Sequence, residues 1–447
     1  MLNRSAAVAV RFVHRWIPDP FVIAVLLTLL TLGLARVLAG YSIADSVYAW
    51  GDGLWGLLRF TGQIILTFVL GHALANTVPV GRLLNHVANR VRTASGAYMM
   101  ICFVSAVAAL LSWGLCLVVA AILSRVTAAN CAARGIRVHY PLLVASGYSG
   151  LVIWHQGISG SIPLIINTPG HFLEDKIGLV SVADTVFAPW NLAVALLILV
   201  TLPFVMKSLA PVDDEIRVFE GEKAGSERGV GAEGTLSIPD QGPAARLEQA
   251  RWINGIVVVV GAGFLAMFFL SRSGSLNLDI LNFTFLILGI ALSRNPKDYL
   301  RLINGAAPAM GPFLLQYPFY AGIMAIMRDS GLAAIVVEFF VATSSAQTLP
   351  VWSFLSAGLV NIFVPSGGGQ WAVQGPVAVD AALALGNDIP KIAMAVAWGD
   401  QWTNMIQPLA SIPLLAIAGL HLRDIMGYCL ITLIFTGIIF LGALIII

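Results

Sequence analysis

Long apolar runs fill this chain from end to end, and the polar positions collect in short breaks between them. At ~1.5 Å of rise per residue, ~20 apolar residues cross a ~30 Å hydrocarbon layer as a helix. On that basis the pattern predicts spans near 20–39, 54–76, 96–112, 113–131, 186–206, 251–271, 279–293, 308–327, 331–345, 389–420 and 424–446. Two further apolar segments, about 139–169 and 350–386, are studded with Gly, Pro, Ser, Asn and Gln. Each suits two short half-helices joined by a tight polar tip, a re-entrant hairpin. The fold class expected is therefore all-α polytopic membrane protein, with about 10–11 transmembrane helices plus two hairpins.

The stretch 210–250 differs in kind. It carries "DDEIRVFEGEKAGSERGVGAEG", mixed charge rich in glycine, and reads as a flexible cytoplasmic linker. It divides the chain into an N-terminal half, 1–209, and a C-terminal half, 251–447, each holding one interrupted segment. Such a layout points to inverted repeats with a site at their interface. Arg4, Arg11 and Arg15 precede the first span, and Arg82, Arg90 and Arg92 follow the second. The excess of basic residues places both, and the N-terminus, in the cytoplasm.

Composition sharpens the class. Of 447 residues 58% are hydrophobic and 11% charged, and the mean hydropathy is +0.87. A net charge of +2, with its basic residues scattered in loops, gives no footing for nucleic acid. Cys102, Cys116, Cys131 and Cys429 lack metal or redox spacing. No cofactor is expected.

Irregular backbone survives in a membrane only against protein or water. In "NIFVPSGGGQWAVQGP" (361–376), Pro365 ends one half-helix, Gly367, Gly368 and Gly369 let the chain reverse, and Trp371 is expected to open the next. Amides at such a helix start bind anions, and Ser366 and Gln370 add donors. A close helix crossing would also use glycine, but has no need of Asn361 or Gln370. In "WGDQWTNMIQP" (398–408), Asp400 is an acid deep in an apolar segment. Pro408 cannot donate to the Asn404 carbonyl, so the helix opens there. The freed carbonyls with Asp400, Thr403 and Asn404 then make an oxygen-rich nest for a hard monovalent cation, with a proton on Asp400 as the alternative and a purely structural acid as the bland reading. In the first half the matching tip is "WHQGISGSIP" (154–163), offering His155, Gln156, Ser159, Gly160 and Ser161. His155 is either a ligand donor or a packing residue. The counterpart of the opened helix is "DTVFAPWN" (184–191).

"PDPFVIAVLLTLLT", "SWGLCLVVAAILSR", "YPLLVASGYSGLVIWHQGISGSIPL" and "VNIFVPSGGGQWAVQGP" resemble the bacterial short-chain fatty acid transporter family. "NIFVPSGGGQW" with "GDQWTN" is more distantly similar to p-aminobenzoyl-glutamate transporters, and the match carries Asn361, Ser366, Trp371, Gly399, Asp400, Thr403 and Asn404. Where those relatives place a lysine, this chain has Gln370. The resemblance implies uptake of small monocarboxylates such as butyrate and acetoacetate in the bacterial inner membrane. It also implies a homodimer whose subunits pair a scaffold with an elevator-like transport domain, driven by sodium or protons. Two rivals come from the residues. "GISG" matches the surroundings of an intramembrane serine protease nucleophile at Ser159, which would need a general base within reach. Two broken hairpins also suit an anion channel, although a lone deep Asp400 fits ion coupling better than a selectivity ring.

Overall fold

The computed structural model is described over residues 8–12, 15, 18–212, 216–219, 242–271, 278–306 and 310–446. Regular structure among them is helical throughout. The first half runs α1 (Pro20–Leu38), α2 (Ile43–Gly53), α3 (Leu58–Ala75), α4 (Val78–Asn89), α5 (Ala94–Leu111), α6 (Trp113–Ala133) and α7 (Tyr140–Ser149). A 3₁₀ segment (Gly150–Gln156), α8 (Ser161–Ile166), α9 (Glu174–Ile177) and α10 (Pro189–Ser208) follow. The remainder comprises α11 (Pro243–Glu248), α12 (Arg251–Ser271), α13 (Leu278–Leu292), α14 (Pro296–Ala306), α15 (Gly311–Asp329) and α16 (Leu332–Ala342). It closes with α17 (Leu349–Phe363), α18 (Gly367–Leu385), α19 (Ile389–Thr403), α20 (Pro408–Ala418) and α21 (Leu422–Ile446).

The chain's own punctuation sets these ends. Proline in the first turn opens α1, α4, α7, α10, α17, α19 and α20, where its missing N–H is no loss. Gly386 and Gly419, both at positive φ, close α18 and α20. The expected break at "SWG" is present: Ser112 is extended between α5 and α6.

Among the described residues six helices (α1, α5, α6, α10, α12 and α21) are long and apolar enough to cross a membrane, and α3 with α4, bent by 79°, makes a seventh if taken as one span. This is a multi-pass membrane protein. The expected span 331–345 is shorter than drawn, with 11 residues in α16, and the segment 389–420 divides into α19 and α20 of 15 and 11 residues, so these helices rise only about 16–23 Å. The amphipathic α2, α4 and α14 were not foreseen, because apolar periodicity was sought at membrane length.

Arg4 and most of the linker, 213–215 and 220–241, lie outside the described residues. Where the stretch 210–250 is described, it is docked. The Arg217 amide donates to His139 Nδ1 at 3.0 Å, and its carbonyl accepts from the Tyr140 amide at 2.8 Å. Its guanidinium meets Asp424 at 3.0 Å, and the Phe219 ring lies 4.8 Å from that of Tyr140. Arg59, at the start of α3, pairs with the exposed Asp279 at 3.1 Å.

The densest region is where the two interrupted segments meet. All ten residues of α7 and all seven of the 3₁₀ segment are buried. α19, buried without a gap from Ile392 to Gln401, packs on α17 along its length.

Candidate functional site

Pro408 opens the helix between α19 and α20 as its chemistry requires. The Asn404 carbonyl, to which Pro408 cannot donate, accepts from the Tyr148 hydroxyl at 2.5 Å and more weakly from the Gln407 amide at 3.4 Å. Gln407 caps α20, its side-chain oxygen taking the amides of Leu409 (2.5 Å) and Ala410 (3.3 Å). One turn before the break, Asp400 is 1% exposed.

The oxygen nest expected from the sequence does converge, with one difference. The Asn361 amide nitrogen, from α17, donates to the Asp400 carbonyl (2.8 Å), Thr403 Oγ1 (3.0 Å) and Asn404 Oδ1 (2.8 Å). An amide donor stands where a cation would. Asn361 Oδ1 and Asp400 Oδ2 are buried without a partner. Turning the Asn361 amide over would present four oxygens to one point, a donor set that suits a hard monovalent cation. Among the described residues no three His, Cys, Asp or Glu side chains group as a metal site.

At the second tip α18 begins at Gly367, so the three glycines form its first turn, contrary to the expected reversal loop. Ser366 caps that turn, accepting from the Gly369 amide at 3.3 Å. The Gly367 and Gly368 amides have no helical carbonyl to meet. Glycine is required at 367, since a Cβ there would lie 2.7 Å from His155 Nε2 and 3.3 Å from Ser161 Cβ. The two tips touch at this point. Trp371 does not open the helix; it is fully buried in the second turn. Gln370 also turns inward, donating to the Ala357 carbonyl (3.0 Å) and Gln374 Oε1 (2.9 Å).

At the first tip the chain runs from Gly157 to Gly160 between the 3₁₀ segment and α8. Because α5 stops before Ser112, the Leu110 carbonyl lacks its helical donor, and the Ile158 amide takes it at 2.9 Å. A Cβ on Gly157 would sit 2.1 Å from that carbonyl oxygen, and one on Gly160 2.5 Å from the His155 carbonyl. Gln156 is held by the Asn191 carbonyl (3.3 Å) and by the Gln401 side chain (3.4 Å). Asn191 belongs to the stretch expected to mirror the opened helix. Ser159 Oγ is buried with no hydrogen-bond partner among the described residues. His155 donates its amide to Gln401 Oε1 at 2.7 Å, lies under the Trp154 ring at 3.6 Å, and places Nε2 3.2 Å from Asp400 Oδ1. That contact, both side chains fully buried, joins the two halves of the chain.

Between the tips lies a cavity of about 100 Å³. Ser161, Ser366, Gly367, Gly368, Asp400 and Asn404 make its polar side; Trp113, Leu151, Trp154, Leu409, Ala410 and Pro413 make an apolar one. Of the expected ligand residues, Gln156, Ser159, Gly160, Gly369, Gln370 and Trp371 stand outside this lining, and His155, Asn361 and Thr403 sit behind it. Tyr148, Asn191, Gln401 and Gln407 were missed. Their one signal is a polar group set inside an apolar run.

Membrane-length helices around a buried cavity with one polar and one apolar side define a multi-pass membrane protein with a candidate ligand site inside it. The short chain fatty acid transporter family model matches residues 1–447, and the chain belongs to that family. It is 40% identical over 441 residues to a protein of Escherichia coli (strain K12) named "Putative short-chain fatty acid transporter", covering 98% of each chain. A protein of Haemophilus influenzae with the same name is 34% identical over 452 residues, covering 99% of each. Among solved structures, the Alcanivorax borkumensis YdaH transporter aligns with 96% of this chain and 97% of its own, at a TM-score of 0.46 and 16% identity. Neisseria gonorrhoeae MtrF aligns with 98% and 96%, at 0.41 and 16%.

Proposed function

We propose that this protein is a secondary active transporter of short-chain fatty acids and similar small monocarboxylates, of the butyrate and acetoacetate type, and that it symports each with a cation. A water needs roughly 10–15 Å³ of free space of this kind, so about 100 Å³ admits a ligand of only a few heavy atoms. The Gly367 and Gly368 amides with Ser161 and Ser366 are neutral donors for a carboxylate, and they spare the site a buried fixed cation.

The observation that carries coupling is Asp400 on the same cavity wall. Two carboxylates about 4 Å apart repel by about 4 kcal/mol at an effective dielectric of ~20, or roughly a thousandfold in affinity. A monocarboxylate therefore binds well only when a cation offsets Asp400. A proton has His155 and Asp400 to share it; a sodium ion has Asn361, Asp400, Thr403 and Asn404 once the Asn361 amide turns.

The two tips, moving together with α19 and α20 against the remaining helices, would carry the cavity across the membrane as an elevator. The inverted repeats, the homodimer, and an inner-membrane location with the N-terminus in the cytoplasm belong to the same reading.

The test is uptake of labelled butyrate and acetoacetate into proteoliposomes with sodium and pH gradients imposed separately. Protein-free liposomes measure diffusion of the undissociated acids. One of the two gradients is expected to drive accumulation above that background, and folded Asp400→Asn is expected to lose the response to that gradient while retaining exchange. Accumulation by folded Asp400→Asn with unchanged ion dependence would defeat the coupling role.

A further inference from the structure

The carboxylate reading fixes one end of the ligand and leaves open what limits the other. Four helical elements, with Pro365 beside them, supply the apolar wall: Trp113 as the first residue of α6, Leu151 and Trp154 from the 3₁₀ segment, Tyr317 from α15, and Leu409, Ala410 and Pro413 from α20. The wall has little freedom to yield. Leu151 is 2% exposed, and Trp154 is wedged between the rings of His155 (3.6 Å) and Trp113 (6.3 Å). The start of α6 is tied through the α5 break to the first tip, where Leu110 and Gly157 leave no room for a methyl group. A stiff wall around a small space selects by length, because overpacking a close-packed interior is itself destabilising.

The wall residues are not equivalent. Leu151 and Trp154 are core residues whose loss would leave a hole in the fold. Trp113 is only half-buried and has the largest truncatable side chain. Ala410 has the smallest side chain on the wall and lies in the first turn of α20. We infer that Trp113 and Ala410 set the acyl chain length: Trp113 is the stop against which the chain ends, and Ala410 is the gap that admits it. This rests on the carboxylate reading and adds to it the residues that choose among acids.

Calorimetric binding of acetate, propionate, butyrate and hexanoate to the purified protein tests the inference, read as ratios within each protein so that the active fraction cancels. While the chain fits, affinity is expected to rise about fourfold per methylene, the equivalent of ~0.8 kcal/mol, and then to fall at hexanoate. Trp113→Ala is expected to raise the hexanoate-to-butyrate ratio at least tenfold. Ala410→Leu is expected to lower the butyrate-to-acetate ratio at least tenfold. Trp113→Phe and Ala410→Val give the same shifts in smaller measure, and they carry the test if a larger change prevents folding. Unchanged ratios in folded variants, or parallel losses at every length, overturn the inference. If the wild-type protein binds none of the four acids, the carboxylate reading itself fails, and that result is distinct from the others.

Discussion

The two tips are written in nearly the same letters, Ser-Gly-Ser in "GISGSIP" and Ser-Gly-Gly in "PSGGGQW", yet they serve opposite ends. The first is a plug. Its Ile158 amide is spent on the Leu110 carbonyl, and Gly157 is pressed against that same carbonyl. Its polar side chains, His155 and Gln156, turn into the protein and are bonded there. The second is a socket. Its glycines begin a long helix whose first amides have no internal partner, and two of those glycines line the cavity. Small residues answer two demands, close approach and exposed amides, and the lettering alone does not separate them.

The largest expected effect separates plug from socket directly. In Gly157→Val the new Cβ collides at 2.1–2.6 Å with three backbone atoms of Leu110, which no rotamer change relieves. A loss above ~4 kcal/mol is expected, enough to abolish folding. In Gly368→Val the nearest atom is the mobile end of Ile165 at 3.3 Å, so the protein should fold, insert and yet fail to transport. Size-exclusion behaviour and uptake, measured together, check both. A folded Gly157→Val, or normal uptake by Gly368→Val, would erase the distinction.

Next in size is the group that supports the socket from behind. Tyr148→Phe strips the Asn404 carbonyl of a 2.5 Å hydrogen bond at the helix break. Leaving a buried acceptor short of its donor costs about 1–3 kcal/mol. A lowered Tm is expected, with weakened substrate binding. A Tm equal to wild type would mean that Tyr148 does not brace the break.

Much of this was legible before the structure. Pro408 announced the break and Asp400 the buried acid with Thr403 and Asn404 beside it, whereas Asn361 joined them only through the resemblance to known transporters. The misreadings share one cause. Sequence shows that a backbone is interrupted but not which way each side chain then faces. Gln370 and Trp371 follow the glycines and were taken for ligands, whereas one helical turn rotates them away from the cavity into α17. Trp113, Leu151 and Ala410 read as ordinary span residues, since only contact with a distant segment makes them a wall. His155 illustrates the limit best: its partner Asp400 is 245 positions away.

Smaller again is the contrast between the serines. Ser366 both caps α18 and lines the cavity, whereas Ser159 Oγ is partnerless and outside it. Ser366→Ala is expected to weaken carboxylate binding by about 1–2 kcal/mol, roughly five- to thirtyfold. Ser159→Ala should leave affinity within about twofold, since it removes no hydrogen bond. Titration calorimetry with butyrate reads both. Equal losses would place Ser159 in the ligand shell beside Ser161.

The smallest effect tests whether the linker positions the plug. The docked piece of linker, Ile216–Phe219, holds the start of α7, which leads into the first tip. Arg217→Ala removes its contact with Asp424, but the guanidinium is half exposed, so solvent screening leaves that pair worth at most about 1 kcal/mol. Asp424 keeps a second partner, since its other oxygen still accepts from the His421 amide at 2.9 Å. The backbone bonds of Arg217 to His139 and Tyr140 need no side chain and should survive. A Tm lowered by a few degrees at most is expected, with the KM for butyrate unchanged. A KM shifted severalfold without a matching loss of stability would show that the linker governs the position of the first tip.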